Sequence, residues 1–241
     1  MSIIKRFIPK NASKIPYLSM VILAAGSSTR MGFDKITADL CGKPVILHTL
    51  EAFHDLDFVQ EIVVVTREES VAGISDLVHD AQLNKVSCVV NGGNTRAESS
   101  YIGVFHCNEK AKFIGIHDGA RPIVSRELVE RVALGAKKYT ACCPGNMPTD
   151  TIKELNDEDF VIRTIPRSNT VCIQTPQIFK SEVIKAALTK AVNDKWTITD
   201  DASAVEQLGI PVFIEEGSYE NIKLTQPLDY YLAEKILNER D

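Results

Sequence analysis

The sequence predicts an α/β fold in which a mostly parallel β-sheet is flanked by helices. Short continuous apolar runs alternate with segments of helical periodicity, and the connections between them are short. This alternation is typical of βαβ units, whose strands are buried on both faces of the sheet. Ligands of such sheets bind at the carboxyl ends of the strands. Polar residues that directly follow a strand are therefore the first candidates for a functional site.

Four apolar runs predict the strands of the first half of the chain. Each run is bounded by polar or turn-forming residues, as expected for a short buried strand. The predicted strands are Met20–Ala25, Glu61–Thr66, Val86–Val90 and Lys112–His117.

A helix is predicted in each segment that follows one of these strands. In the first segment Val45, Leu50 and Phe53 recur at the spacing of one helix face. Ser and Asn are favoured N-cap residues, which predicts helix starts at Asn94 and Ser125. The predicted helices are Lys43–Leu56, Ser70–Leu83, Asn94–Cys107 and Ser125–Tyr139.

The alternation of strands and helices is interrupted between Pro144 and Ile173. Two β-like runs, Thr151–Leu155 and Phe160–Ile165, surround the turn Asn156–Asp159 and predict a hairpin. Because an isolated hairpin with apolar residues is poorly buried, we expect this arm to have a partner.

The rest of the chain predicts further helices and β segments on the same domain. Pro227 is compatible with the first turn of a closing helix. We predict an N-terminal extension over residues 1–19 and one domain over 20–241. The predicted elements are the helices Ser181–Val192, Thr199–Leu208 and Gln226–Arg240, the strand Pro211–Glu215 and a β segment at Asn221–Thr225.

Composition excludes several functional classes. The formal net charge of −5 argues against a nucleic-acid-binding protein, which would normally carry a basic face. No apolar run approaches the ~18 residues of a membrane span. The six cysteines form no CxxC pair, and most lie in or beside apolar runs, as buried reduced thiols do. We therefore expect a cytoplasmic protein without a membrane or nucleic-acid partner.

The loop after the first predicted strand has the composition of a phosphate-binding loop. Small residues there let backbone N–H groups approach a polyphosphate, and Arg30 and Lys35 add positive charge. The loop lacks the GK[ST] ending of a Walker A motif and the dinucleotide GxGxxG pattern. An ordinary turn with two surface cations is the alternative interpretation. The small residues are Ala24, Ala25, Gly26 and Ser27.

Two further motifs each follow a predicted strand. The glycine turn Asn91–Ser99 could hold a nucleobase or ribose through backbone groups, or could be a simple capped turn. In His117–Pro122, Asp118 is a candidate Mg²⁺ ligand, because Mg²⁺ binds one or two carboxylates together with phosphates. The alternative for Asp118 is a turn cap. We expect His117 to be a packed, hydrogen-bonded residue.

Together with these motifs, several weaker segments form a recognisable series. Taken singly, Asp150–Lys153, Arg167, Thr175–Gln177, Thr199–Ser203 and Asn221–Lys223 are solvated charges or caps. In this order the chain resembles the 2-C-methyl-D-erythritol 4-phosphate cytidylyltransferases of the non-mevalonate isoprenoid pathway, from about Met20 to the C-terminal helix. The motifs that carry the resemblance are AAGSSTRMG, GGNTRAES, HDGARP, DTIK, QTPQ, TDDASAVE and ENIKLT.

The resemblance implies a Rossmann-like sheet, CTP as co-substrate, Mg²⁺ or another divalent cation, and a homodimer whose β-hairpin arm reaches the partner subunit. Arg30 and Lys35 resemble the cations that stabilise the transition state, and Asp118 the metal- and substrate-proximal aspartate. The residues that resemble the cytidine-binding turn are Gly93, Asn94, Arg96 and Ser99. Those that resemble contacts to the sugar phosphate are Thr151, Arg167, Thr175 and Lys223, of which Arg167 and Lys223 would position it for attack.

The implied reaction is in-line attack of the acceptor's phosphate on the α-phosphorus of CTP, with release of pyrophosphate. The chain departs from the family pattern at Ser28, Asp34 and Asn94, where a glycine, a proline and an aspartate are usual. Two alternatives stay open at this point. One is cytidylyl transfer to ribitol 5-phosphate on the same scaffold, and the other is a nucleotide-binding homologue without catalytic activity.

Overall fold

A central β-sheet with helices on both faces organises the chain. The computed structural model describes residues 15–26 and 34–240. The strands are β1 (Leu18–Leu23), β2 (Asp39–Leu40), β3 (Lys43–Pro44), β4 (Val59–Thr66), β5 (Val86–Asn91), β6 (Phe113–Asp118), β7 (Ala141–Asn146), β8 (Ile152–Leu155), β9 (Val161–Ile165), β10 (Cys172–Ile173), β11 (Gln177–Lys180) and β12 (Phe213–Glu216). The helices are α1 (Val45–His54), α2 (Val71–Asp80), α3 (Arg96–His106), α4 (Arg126–Tyr139), α5 (Ser181–Asn193), α6 (Asp201–Gln207) and α7 (Pro227–Asn238).

Within the described residues the main sheet has eight strands, ordered β10-β7-β11-β6-β1-β4-β5, with β12 pairing β7. Strands β1, β4, β5 and β6 are mutually parallel, and β12 is parallel to β7. Strand β11 runs antiparallel between β6 and β7. The predicted mostly parallel sheet is confirmed. Strands β7, β10 and β11 were not predicted.

Alternate residues of the central strands pack into separate layers, because successive side chains of a strand point to opposite faces. Met20 and Ile22 pack with helices α1, α2, α4 and α7. Val21 and Val65 pack on the other face with α3, α5 and α6. With both faces covered, most positions of the central strands are apolar, which explains why their sequences form nearly continuous apolar runs.

Helix α1 begins at Val45 rather than at the predicted Lys43, because Lys43 and Pro44 pair with β2, and α6 begins at Asp201 rather than Thr199. Of the two predicted N-caps, one is confirmed. Ser125 caps α4 by accepting a hydrogen bond from the backbone N–H of Leu128, as predicted. Thr95, rather than the predicted Asn94, caps α3, because Thr95 and Glu98 form a reciprocal capping box. The adjacent Asn94 instead donates its backbone N–H to the Glu98 carboxylate at 2.7 Å.

Several predicted boundaries are corrected by the sheet. Strand β1 begins at Leu18, inside the range predicted as an extension. Strands β7 and β10 include the two ends of the predicted 144–173 arm, so the hairpin leaves the main sheet between them. Residues 221–225 were predicted as a β segment but form no strand. The backbone N–H of Leu224 donates to the Ala120 carbonyl, which belongs to a loop and not to a strand.

The hairpin β8–β9 is confirmed, and it is antiparallel. Its apolar side chains are largely exposed in the single chain: Phe160 is 68% exposed and Ile162 59%. Exposed apolar surface of this kind marks an interaction site.

The cysteines are less uniformly buried than predicted. Three of them, Cys107, Cys142 and Cys143, are buried, whereas Cys41 and Cys172 are exposed. Across residues 15–26 and 34–240, no helix combines the length and apolarity needed to cross a membrane. The cytoplasmic location stays a prediction.

We predict that Gly103→Ala destabilises the fold although alanine favours helices. A Cβ at Gly103 would lie 2.3 Å from Val21 Cγ1 and 2.7 Å from Val65 Cγ2, both in the sheet beneath α3. Overpacking of a buried site costs roughly 1–3 kcal/mol. Chemical denaturation of the purified variant measures this loss.

Gly73→Ala is the matched control on α2. A Cβ at Gly73 meets nothing within 4 Å. Helix propensity then predicts a gain of about 0.5–1 kcal/mol. Equal effects of the two substitutions would contradict the packing described for α3.

Candidate active site

The carboxyl ends of β1, β5 and β6 open into one cavity of about 420 Å³. Its lining comes from segments that lie far apart in the sequence, as is usual at the carboxyl edge of a parallel sheet. Nine predicted site residues meet there: Ala25, Gly26, Lys35, Gly93, Asn94, Arg96, Ser99, Asp118 and Lys223.

Other predicted residues lie elsewhere. Ala24 is buried at the end of β1, where its N–H bonds the Val65 carbonyl at 2.7 Å. Ser27 and Arg30 lie outside the described residues. Thr151 and Arg167 are exposed on the arm and line none of the cavities at the sheet edge. Arg167 donates to the Thr149 carbonyl at 2.5 Å.

Lys35 is fixed at the cavity by the C-terminal part of the chain. Its ammonium donates to the Leu224 carbonyl at 3.1 Å, and its own carbonyl accepts from the Tyr230 hydroxyl at 3.0 Å. The preceding Asp34 pairs with Arg67 at 2.6 Å. The Asp34 carboxylate thus anchors the residue that precedes Lys35.

The turn before α3 needs glycines because other side chains crowd it. A Cβ at Gly93 would lie 2.3 Å from Glu98 Cβ, and one at Gly92 would lie 2.8 Å from Ser99 Oγ. Gly93 N–H also donates to Ser99 Oγ at 3.2 Å. The backbone of this turn therefore forms part of the cavity wall.

Asp118, at the end of β6, lies among three cationic side chains. Lys223 Nζ is 3.0 Å and Arg121 Nε 3.3 Å from Oδ2, and Arg96 Nη2 is 3.7 Å from Oδ1. Burial alone would raise the pKa of Asp118. Lys223, Arg121 and Arg96 together hold this pKa well below its ordinary value. The carboxylate is therefore ionised and acts as the common counter-ion of the three cations.

Arg96 connects this cluster to a second carboxylate. Its Nη1 lies 2.6 Å from Asp201 Oδ2, and the Asp201 side chain is fully buried at the start of α6. Burial raises the pKa of Asp201 despite the opposing effect of Arg96. Asp201 was not among the predicted site residues, because nothing in the local Thr199–Ser203 sequence indicates Arg96 as its partner.

A second cavity of about 410 Å³ adjoins the first. Arg96, Asp118 and Lys223 line both cavities and form the wall between them. The second cavity is lined mainly by polar side chains. They include Arg121, Gln174, Thr175, Gln177, Thr199, Asp200, Ser203 and Glu206.

Lys223 is positioned by the buried side chain of Asn221. Asn221 Nδ2 donates to the Thr175 carbonyl at 2.8 Å, and the Asn221 carbonyl accepts from Arg121 Nη1 at 2.7 Å. These bonds tie the segment that carries Lys223 to the end of the sheet. The sequence predicted a β segment at Asn221–Thr225. In the structure, hydrogen bonds from the side chains of Asn221 and Arg121 hold this segment instead of strand pairing.

His117 is buried beneath the cluster, as predicted. It packs edge-on against Phe53 with ring centroids 4.8 Å apart. Burial lowers the pKa of His117 to about 4, so the imidazole is neutral at physiological pH.

The described residues contain no group of three or more His, Cys, Asp or Glu side chains that could hold a metal ion. Asp118 is a single carboxylate already paired with two close cations. These residues do not fit a metal site built by the protein alone. A divalent cation at this edge would need phosphate oxygens and waters as its main ligands.

We predict an acid-sensitive stability contribution from Asp118. Its folded-state pKa is depressed, so the contribution is complete above about pH 4, the range of an unfolded Asp, and is lost below it. Urea denaturation without divalent cations should show Asp118→Asn less stable than wild type at pH 7. The difference in unfolding free energy between wild type and Asp118→Asn should narrow below pH 4 by up to about 1.4 kcal/mol per pH unit. A gap independent of pH would refute the ion-pair role.

Comparisons with known proteins agree with the resemblance found in the sequence. The family model of 2-C-methyl-D-erythritol 4-phosphate cytidylyltransferase (IspD) matches residues 18–239. The enzyme of that name from Caldanaerobacter subterraneus is 37% identical over 225 residues, covering 92% of this chain and 99% of the relative. The one from Clostridium beijerinckii is 39% identical over 219 residues, covering 90% and 96%.

Solved structures of enzymes from the same family resemble this chain along most of its length. The 4-diphosphocytidyl-2C-methyl-D-erythritol synthase of Anaerococcus prevotii superposes with a TM-score of 0.83 at 28% identity, covering 92% of this chain and 96% of that one. The cytidylyltransferase of Thermus thermophilus has a TM-score of 0.75 at 29% identity, covering 92% and 99%. The chain has the Rossmann-like fold of these enzymes and belongs to the 2-C-methyl-D-erythritol 4-phosphate cytidylyltransferase family.

Proposed function

We propose that the chain transfers the cytidylyl group of CTP to 2-C-methyl-D-erythritol 4-phosphate and releases pyrophosphate. The observation that carries this proposal is the pair of adjoining cavities that share Arg96, Asp118 and Lys223. A reaction between two anionic substrates needs two binding sites and positive charge where they meet. Family membership supplies the identity of the substrates.

CTP is assigned to the first cavity. The cytidine is proposed to bind against the glycine turn at Gly93 and the start of α3, together with Asn94 and Ser99. Ala24, Ala25, Gly26 and Ser27 belong to the loop proposed for the triphosphate. Lys35 lies on the same wall, and Arg30 is proposed to act with it on the charge that develops as pyrophosphate leaves.

The acceptor is assigned to the second cavity, with its phosphate near Lys223. Thr151 and Arg167 lie on the exposed arm, away from both cavities of their own chain. We therefore propose a homodimer in which the arm of one subunit supplies these residues to the site of the other. The apolar surface of the hairpin supports this arrangement, because a partner would bury it.

The chemistry needs positioning and charge neutralisation rather than a strong base. The acceptor's phosphate is already ionised, so it attacks the α-phosphorus in line without losing a proton to the protein. Phosphoryl-transfer enzymes work in this way, by orientation and electrostatic stabilisation. A divalent cation bound to the triphosphate would neutralise part of its charge. His117 is not proposed as a base, because its imidazole is buried and hydrogen-bonded.

Pyrophosphate release tests the proposed function. We expect turnover with CTP and 2-C-methyl-D-erythritol 4-phosphate, much less with UTP or ATP, and none in excess chelator. Ribitol 5-phosphate is the control acceptor on the same scaffold. Faster turnover with ribitol 5-phosphate, equal rates with all three nucleotides, or the absence of any turnover would contradict the proposal.

Lys35→Ala and Lys223→Ala should affect different kinetic constants. Lys35 would meet charge that builds up in the transition state, so its loss should lower kcat and kcat/KM together by roughly 10²–10³-fold. Lys223 would hold the acceptor before and during attack, so its loss should chiefly raise the KM for the sugar phosphate. Steady-state kinetics with each substrate varied would reveal the opposite pattern if the roles are reversed.

Subunit mixing tests the shared site. If Arg167 acts in the partner's site, a heterodimer of Arg167→Ala and Lys35→Ala subunits contains one site with neither substitution. Activity should therefore reappear when the two inactive variants are unfolded, mixed and refolded together. Refolding each variant alone is the control. A fully active monomer in light scattering would rule out the shared site.

A further inference from the structure

Thr175 lies where the β-sheet register is interrupted next to the end of β6. Strand β10 pairs Ile173 with Gly145, and β11 pairs Ile178 with Cys142. The chain advances five positions while the partner strand β7 advances three, so two extra residues are accommodated between β10 and β11. This interruption brings the buried Thr175 side chain against His117 and Asp118.

Three hydrogen bonds link these residues in one chain. His117 Nε2 lies 3.1 Å from the Arg121 carbonyl oxygen. The Thr175 hydroxyl lies 3.0 Å from His117 Nδ1 and accepts the backbone N–H of Asp118 at 3.1 Å. All four groups are buried at the carboxyl end of β6.

The direction of the hydrogen bonds follows from the group at each end. A carbonyl oxygen only accepts, so His117 must donate from Nε2 to Arg121, and the neutral ring then carries no proton on Nδ1. Nδ1 therefore accepts the one hydroxyl proton of Thr175. At the other end the Asp118 N–H can only donate, which makes the Thr175 oxygen its acceptor.

We propose that Thr175 and His117 are positioning residues that fix the backbone of Asp118, and that the Thr175 hydroxyl does not bind the acceptor's phosphate. A phosphate dianion has no proton to donate, so it could bond this hydroxyl only by taking the proton committed to His117. Thr175 then has a positioning role in place of the direct phosphate contact predicted for it from the sequence.

The position of Asp118 matters because its carboxylate is the counter-ion of Lys223 and Arg96. These two cations line both cavities, and Asp118 lies between them. A shift of its backbone would displace these cations from their positions relative to both substrates. Loss of the Thr175 hydroxyl should therefore affect the nucleotide and the acceptor together, whereas loss of a direct phosphate contact would affect the acceptor alone.

The tautomer of His117 tests this inference without any assay of activity. In protein labelled with ¹⁵N-histidine, long-range ¹H–¹⁵N spectra at pH 7 should show His117 protonated at Nε2. His117→Gln identifies its signals among the five histidines. In Thr175→Val the Nδ1 resonance should move downfield as its donor is lost, and in Thr175→Ser it should stay. A ring protonated at Nδ1 would overturn the proposal.

Kinetics provide the second readout, which depends on the proposed function. Thr175→Val should lower kcat roughly ten- to a hundredfold and raise KM for both CTP and the sugar phosphate, because small displacements of reacting groups are costly. Thr175→Ser should stay within about twofold of wild type, since it retains the hydroxyl. A rise confined to the KM for the sugar phosphate would indicate direct contact and overturn the inference. If Thr175→Val fails to fold, the tautomer of His117 in the wild-type protein still tests the positioning role of Thr175.

Discussion

The candidate site depends on one carboxylate placed among three cations. Asp118 ends β6 and pairs with Lys223 and Arg121, with Arg96 close by. Buried cations without a counter-ion are costly, whereas paired and hydrogen-bonded ones are tolerated. Together with Asp201, which pairs with Arg96, the cluster contains two anions and three cations. Its buried members, Asp118, Arg121 and Asp201, are therefore paired before substrates bind, and the cluster keeps one net positive charge beside the wall shared by the two cavities.

The fold positions this cluster through contacts that lie far apart in the sequence. Strand β6 pairs with β1 on one side and with the antiparallel β11 on the other, which brings the carboxyl end of β1 and the Thr175 interruption to the same edge. Asn221 attaches the Lys223 segment to this edge, and Tyr230 attaches Lys35. The arm leaves the same part of the sheet between β7 and β10. Positive charge, both cavities and the proposed dimer contact are thereby concentrated at one end of the molecule.

Local patterns in the sequence predicted the parallel strands, the flanking helices and the hairpin, because burial on both faces of a sheet and on one face of a helix leaves a periodic signal. They did not predict β7, where Pro144 and Gly145 interrupt the apolar run, or the short β11. The motifs indicated nine of the residues that line the first cavity. The pairing of Arg96 with Asp201 spans 105 positions, and the hydrogen bonds of Thr175 depend on an interrupted register, so neither leaves a local signal.

We propose that Asp118 holds the cations in place for both substrates. Kinetics and calorimetric CTP binding of Asp118→Asn test it most directly. The substitution removes one negative charge and keeps the side-chain volume, so binding of the anionic nucleotide should not weaken, whereas kcat should fall at least roughly tenfold because Lys223 and Arg96 lose their fixed positions. An unchanged kcat, or weaker CTP binding that is restored by a higher Mg²⁺ concentration, would contradict the account, the latter because it would identify Asp118 as a metal ligand.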